Sequence, residues 1–257
     1  MEVIDGVWIM KGLDFDDPHC LHDVDELVDV INDIGFLPLF SNGVEGFSVE
    51  EMTYSDCWWC GDEEIDPWEW RAIIAREEDI AYGKFFNKKA GFISKKWLPY
   101  FANYRRDGYD FDAAYEDGKA AYREKLIMDL FLPDNKEIYE VNVDSIEEDF
   151  KELISHEVKK NAGFGKGGEK NFDGTIANLM MGMYLTVNDF RRKVNKRGEE
   201  YGWALAVYTM PEYIWGYDYV TSEYSKKPEE SFDKLVDNVK KHFKDADIKE
   251  IKKILEK

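Results

Sequence analysis

Acidic and aromatic side chains crowd one short segment of the sequence. Its carboxylates fall within eight positions and are Asp62, Glu63, Glu64, Asp66 and Glu69. Four tryptophans flank them, namely Trp58, Trp59, Trp68 and Trp70. Carboxylates that share apolar surroundings raise one another's pKa, which suits general acid or base chemistry. We therefore take Glu64 and Asp66 as candidate catalytic residues and the tryptophans as candidate walls of a ligand pocket, although such an acidic run is usually a solvated loop.

Thiols and imidazoles near the same segment offer a second kind of chemistry. Cys57 and Cys60 form a Cys-x-x-Cys motif, and His19, Cys20 and His22 precede it in the chain. Together they would supply enough ligands for a tetrahedral zinc site. A whole predicted helix separates the two groups, and a free cysteine is often only a small core residue, so we favour metal-free thiols and expect no cofactor. Three cysteines are too few for a disulfide framework, which indicates a reducing, cytoplasmic location.

Positive charge is gathered in two parts of an otherwise acidic chain, whose net charge is −20. Residues 81–106 hold seven cations and no acid, and residues 159–197 hold nine cations against three acids. Because phosphate binding requires cations, we interpret these two basic islands as nucleic-acid contacts; the alternative is two solvated, lysine-rich faces. The candidates in the first island are Lys84, Lys88, Lys89, Lys95, Arg105 and Arg106. Those in the second are Lys166, Lys170, Arg191, Arg192, Lys196 and Arg197.

The length and hydropathy of the chain exclude some classes of partner. With 257 residues the protein can bury a substantial core. No apolar stretch approaches the roughly 20 residues that a membrane crossing needs, and the first residues lack the basic region and cleavage site of a secretion signal. We therefore expect DNA as the partner and no membrane, while the oligomeric state stays open.

The elements that must position these residues follow from local signals. Asp23 and Glu26 form a capping box that opens a helix, and Gly35 closes it. A short extended run surrounds Pro38, and an irregular segment over 41–66 leads to a helix that begins at Pro67. Two strands over 80–86 and 89–93 form a hairpin. A further helix follows and ends near residue 107, and Pro99 is expected to disturb its first turns.

The second half has the order of a winged helix-turn-helix. The predicted elements are helices at 120–132, 146–160 and 172–184 around a glycine-rich loop at 163–168, strands at 185–192 and 203–208 around a basic turn at 195–198, and closing helices at 228–243 and 246–255. The helix of 120–132 is the end of a longer one from 112, broken near Gly118. A boundary at 133–135 predicts an N-terminal winged-helix-like domain over 1–132 and a C-terminal one over 133–257. The fold class is therefore α+β and helix-rich, with tandem winged helices and small hairpin wings.

Four strings in and after the first hairpin resemble one stretch of the AlkZ/YcaQ-type DNA glycosylases. They are Ile80-Ala-Tyr-Gly-Lys-Phe-Phe86, Ala90-Gly-Phe-Ile-Ser94, Trp97-Leu-Pro99 and Tyr104-Arg-Arg106. The resemblance extends over about residues 20–210 in the order of elements. It implies a protein that contacts DNA with tandem winged helices and hydrolyses an N-glycosidic bond.

The catalytic signature that this resemblance implies is altered. The family has Gln-x-Asp or Gln-x-Gln shortly after the first helix, where the polar pair activates water. Pro38 and Phe40 stand there in this sequence, and neither side chain can activate water. A rival alignment places Glu64 and Asp66 in the two polar positions. We therefore predict a nucleic-acid-associated relative that lacks the usual base-excision activity; the alternatives are a variant glycosylase that uses Glu64 and Asp66, and a small-molecule or protein-binding module that uses the tryptophan-rich loop.

Overall fold

A computed structural model describes residues 2–4, 7–134, 136–141, 150–195 and 197–257. The strands are β1 (Glu2–Ile4), β2 (Val7–Ile9), β3 (Phe36–Pro38), β4 (Ile80–Phe86), β5 (Lys89–Ser94), β6 (Glu152–Ile154), β7 (Thr186–Val194) and β8 (Glu200–Thr209). The helices are α1 (Val24–Ile34), α2 (Pro67–Glu77), α3 (Leu98–Arg106), α4 (Phe111–Glu116), α5 (Tyr122–Met128), α6 (Ser155–Asn161), α7 (Phe172–Met181), α8 (Pro211–Trp215), α9 (Tyr217–Val220), α10 (Pro228–His242) and α11 (Ile248–Leu255).

A six-stranded antiparallel sheet forms the centre of the fold. Its strand order is β3-β5-β4-β7-β8-β6, and β1 and β2 form a separate two-stranded sheet. Strands from both sides of the predicted boundary after Leu132 therefore join in one sheet, through the pairing of Tyr82 with Val187. The α+β class is confirmed, and the division into two domains stays a prediction.

Local sequence signals explain the elements around β3 to β5. The Asp23 carboxylate accepts a hydrogen bond from the backbone N–H of Glu26 at 2.9 Å and caps α1. Gly35 ends that helix with φ 95°, a left-handed conformation that glycine adopts at little cost. In the hairpin, Asn87 and Lys88 have φ of 50° and 61°, as a two-residue type I′ turn requires. The predicted first helix and first hairpin are confirmed.

An aromatic core lies between the sheet and helix α3. The Phe36 ring packs edge-on against Phe101 with centroids 5.0 Å apart, and Phe86 packs against Phe101 at 6.1 Å. Helix α10 covers α3, where Tyr104 stacks on Phe232 at 4.4 Å. Pro99 stands in the first turn of α3, where its missing N–H breaks no helical hydrogen bond, so it does not disturb the helix.

The second half departs from the predicted elements in one place. Of the predicted helix 146–160, residues 146–149 lie outside the described residues, 152–154 form strand β6 and α6 begins at Ser155. Leu153 pairs with Tyr208 across the sheet, and this long-range pairing replaces the local preference for a helix. The predicted break near Gly118 is confirmed, since α4 ends at Glu116, α5 begins at Tyr122 and the φ of Gly118 is 72°. In the described residues, no helix is both long and apolar enough to cross a membrane.

Candidate nucleic-acid interface

The hairpin of β7 and β8 projects beyond the core, and we call its outer part, residues 191–204, the wing. All of its residues apart from Lys196, which lies outside the described residues, are exposed. Trp203 is 88% exposed, and Tyr201 and Val194 on the facing strands are also open to solvent. A tryptophan so exposed leaves a large apolar ring without a protein neighbour, and such surface is typical of a binding site.

The cations of the wing differ in whether they form an ion pair within the protein. Arg191 donates to Asp189 at 2.7 Å and pairs with Glu152 at 2.6 Å, so its charge is neutralised within the protein. Arg192 and Arg197 are exposed, as is Lys193, which the sequence analysis did not select. In the described part of the chain, none of these three side chains has an ion-pair partner.

An aromatic ladder lies at the base of the wing. The Arg71 guanidinium stands 3.7 Å from the Trp68 ring and 4.2 Å from the Phe190 ring, so it is held between two aromatic faces. Burial lowers the pKa of Arg71. Trp59, half exposed, continues the ladder with its ring 6.3 Å from Trp68. Of the four predicted pocket tryptophans, these two remain accessible.

The other two tryptophans are core residues. Trp58 donates its indole N–H to the Thr53 hydroxyl at 2.9 Å, and Trp70 donates to the carbonyl of Glu64 at 3.3 Å. Both rings are buried. They stabilise the loop that precedes α2 and cannot form the walls of an open pocket.

The two candidate catalytic carboxylates have different surroundings. Asp66 is fully buried, and its carboxylate accepts backbone N–H bonds from Trp59, Gly61 and Trp68 at 2.9–3.0 Å. It is the N-cap of α2, directly before Pro67, and holds the loop against the helix. Glu64 is exposed. The structure therefore does not bring the two carboxylates to one accessible site.

The predicted cations of the first island also divide between surface and core. Lys84, Lys88 and Lys89 are exposed. Lys95 is paired with Asp79 at 3.0 Å. Burial alone would raise the pKa of Asp79, but hydrogen bonds from Lys95 and Trp215 together lower it.

Arg105 and Arg106 are core residues, 1% and 3% exposed. Arg106 is paired with the buried Glu212 at 2.5 Å and also donates to the carbonyl of Met183. Their burial removes them from the surface where the sequence analysis expected phosphate contacts. A terminal arginine pair on a helix ordinarily faces solvent, so the sequence alone does not indicate that these two side chains are buried.

The loop after α6 carries the last two predicted cations. Lys166 and Lys170 are exposed, and the loop between them is closed by a backbone hydrogen bond from Gly165 to Glu169 at 3.1 Å. The Glu169 carboxylate pairs with Arg123 at 2.6 Å. The loop thus joins α5 to α7 and presents its lysines to solvent.

The two hairpin tips lie at opposite ends of the sheet. Strands β4 and β7 are antiparallel neighbours and pair at Tyr82 and Val187. The chain reaches the tip of the first hairpin five residues after the pairing point, at Asn87, and that of the second eight residues after it, at Asn195. Thirteen residues of strand at about 3.3 Å each separate the tips by roughly 40 Å. The basic residues at the two hairpin tips therefore do not share one groove.

The thiols form no metal site in the part of the chain that the structure describes. No group of three or more histidine, cysteine or carboxylate ligands converges there. Cys20 is buried, Cys57 is half-buried and Cys60 is exposed. Burial raises the pKa of the Cys20 and Cys57 thiols, which lowers their reactivity.

Comparison with known proteins identifies the family. The model of the AlkZ-related family matches residues 21–256. The chain belongs to the AlkZ-related family. Comparisons with curated proteins and with solved structures gave no significant match.

In this AlkZ-related protein, the two positions at which the sequence predicts the glycosylase signature carry apolar side chains. Pro38 is buried at the end of β3, and Phe40 follows it. Both line a pocket of about 140 Å³ together with Phe86 and Ile254, and the Glu250 carboxylate lies at its edge. Neither residue at the signature positions has a group that can take up a proton or orient water.

Proposed function

We propose that this AlkZ-related protein binds nucleic acid through the wing and without reading the base sequence. The exposed Trp203 is the observation that carries the proposal, because it stands among the unpaired cations of the wing. Aromatic rings stack on bases of any type, and cations hold the phosphates beside them. The exposed Trp59 and the half-buried Trp68 at the base of the wing extend the same kind of surface.

The order of elements supports a winged-helix mode of contact. Helices α5, α6 and α7 precede the β7–β8 hairpin, and α1 and α2 precede the β4–β5 hairpin, which suits tandem winged units. Helix α7 holds the place of a recognition helix, but seven of its ten residues are buried. Of the ten residues only Asp173 and Asn178 are exposed, and Asn178 donates to Glu124 at 3.0 Å. The helix offers little for reading bases, so we assign the contact to the wing.

We also propose that the usual base-excision chemistry is lost. Pro38 and Phe40 replace the polar pair of the glycosylases. The alternative catalytic pair, Glu64 and Asp66, gains no support from the geometry. Three backbone N–H groups already bind the Asp66 carboxylate, and Glu64 is a surface residue.

The binding proposal is tested by titration of labelled duplex and single-stranded DNA, followed by fluorescence anisotropy. Trp203→Ala is expected to weaken binding about 5- to 150-fold, the equivalent of one stacked base. Tyr139→Ala, which removes another exposed ring on a different element, is the matched control and should bind like the parent. Equal binding by both variants would contradict the wing assignment.

The loss of excision is tested separately on DNA that carries alkylated bases. We expect no abasic sites above the uncatalysed background after prolonged incubation. Abasic sites formed by the parent protein would overturn this part of the proposal and leave the binding part intact. In that event, persistence of the activity in Glu64→Gln and Asp66→Asn would exclude these carboxylates as its source.

A further inference from the structure

A second cationic site lies at the other end of the molecule, beside the tip of the β4–β5 hairpin. A cleft of about 330 Å³ opens between the end of α3, the loop after α4 and the end of α7. Its charged lining comprises five cations and two carboxylates, namely Lys88, Arg105, Arg106, Lys119, Lys257, Asp107 and Glu124. In a protein with a net charge of −20, this excess of positive charge in a concave site is unusual.

The cations of the cleft are not all neutralised from within. Arg106 is paired with Glu212 behind the wall, and Lys119 with Asp107 at 3.4 Å. Lys88 has no ion-pair partner among the described residues, and its side chain is exposed at the hairpin tip. The cleft therefore retains positive charge after its own ion pairs are counted.

Arg105 in the wall is a buried cation that the protein does not fully satisfy. Its guanidinium donates to the carbonyls of Phe85 at 2.5 Å and Leu255 at 3.4 Å, and its Nε atom is buried without a hydrogen-bond partner. No carboxylate pairs with it in the described part of the chain. A buried charge without a counter-charge is costly, and burial lowers the pKa of Arg105 to about 9. An anion in the cleft would offset this cost through its field, at short range and in a partly dehydrated site.

We infer that the cleft binds a phosphate monoester, with Lys88 and Lys119 contacting the phosphate oxygens above Arg105. A dianion suits a site where several cations converge, and lysines bind phosphate as point charges. The rest of the lining includes Leu179, Met181 and Tyr184, which would pack against an organic group carried by the phosphate. The phosphate belongs to a free nucleotide or to the 5′ end of a nucleic-acid strand, two sources of the same chemistry.

The proposal is tested by calorimetric titration of adenosine 5′-monophosphate, with adenosine as the ligand that lacks the phosphate. We expect saturable binding of the monophosphate and none of adenosine. Lys88→Asn should weaken binding about tenfold, the usual loss of one charge-assisted bond; asparagine tolerates the φ of 61° at this position. Lys89→Gln is the matched control, since it removes the next charge of the same hairpin but faces a different pocket. Absence of binding, or equal weakening by both variants, would overturn the proposal.

A second arm identifies the source of the phosphate and separates this site from the wing. Short single strands with a 5′-phosphate or a 5′-hydroxyl compete against the bound monophosphate. Preferential displacement by the phosphorylated strand supports a strand end, and equally weak displacement by both strands supports a free nucleotide. Trp203→Ala should leave monophosphate binding unchanged, so failure of the wing proposal and failure of this one give different results. A loss of monophosphate binding in Trp203→Ala would contradict two independent sites.

Discussion

Removal of the free charges of the wing should change the salt dependence of DNA binding by a predictable amount. The triple variant Arg192→Gln, Lys193→Gln and Arg197→Gln removes three exposed cations and no internal ion pair. Each phosphate contact contributes about 0.9 to the slope of log affinity against log salt for duplex DNA, so three contacts contribute about 2.7. When the salt rises from 50 to 200 mM, these three contacts weaken the binding of the parent by about 40-fold. The triple variant lacks the contacts, so its affinity should fall by about 40-fold less over the same range.

The assay is anisotropy of a labelled duplex of about 25 base pairs at four or more salt concentrations. The matched control is the triple variant Lys84→Gln, Lys88→Asn and Lys89→Gln, which removes the same charge from the opposite end of the sheet. It should keep the parent slope on an unphosphorylated duplex. The wing assignment is wrong if the control loses the slope and the wing variant retains it. A flat salt response of the parent would refute phosphate contact altogether.

Three further predictions concern the internal polar groups. Glu212→Ala should destabilise the fold by about 3–5 kcal/mol in chemical denaturation, because it leaves the buried Arg106 charge unpaired, and a near-neutral result would refute this role. Asp66→Ala should lower the unfolding free energy by about 2 kcal/mol or more, since three backbone N–H donors lose their buried acceptor, whereas Glu64→Ala should change it little; equal effects would contradict the different placement of the two residues. Burial raises the pKa of Asp110 above the usual 3.8, so the folded state holds a proton that the unfolded chain has released, and stability falls as pH rises between the two values; Asp110→Asn should remove this fall, as unfolding measured from about pH 4 to 7 will show.

Signals carried by adjacent residues made much of the fold predictable. The cap at Asp23, the stop at Gly35 and the Asn87-Lys88 turn each fix a backbone conformation within a few positions. Such local rules gave the first helix, the first hairpin and the two closing helices at nearly their observed bounds. The family could also be recognised from the sequence, because the strings that carry the resemblance are short and contiguous.

The features that decide the site depend on contacts between distant parts of the chain. Nothing near Arg105 in the sequence indicates that its guanidinium will lie under Phe85 and Leu255. Likewise, the pairing of Tyr82 with Val187, more than a hundred residues apart, places the two basic hairpin tips at opposite ends of the sheet. Asp66 illustrates a signal that was present but open to two interpretations, since an aspartate before a proline also marks the start of a helix.

The antiparallel pairing of β4 and β7 sets a minimum length for any ligand that touches the tips of both hairpins. Tips about 40 Å apart correspond to about twelve base pairs of duplex DNA, at 3.4 Å for each step. A shorter duplex can engage one hairpin at a time, so its binding will be governed by that hairpin alone. Only beyond this length can one molecule reach from the wing to the phosphate cleft, so the affinity of a graded series of 5′-phosphorylated duplexes would rise in a step at the bridging length, whereas unphosphorylated duplexes would show no step.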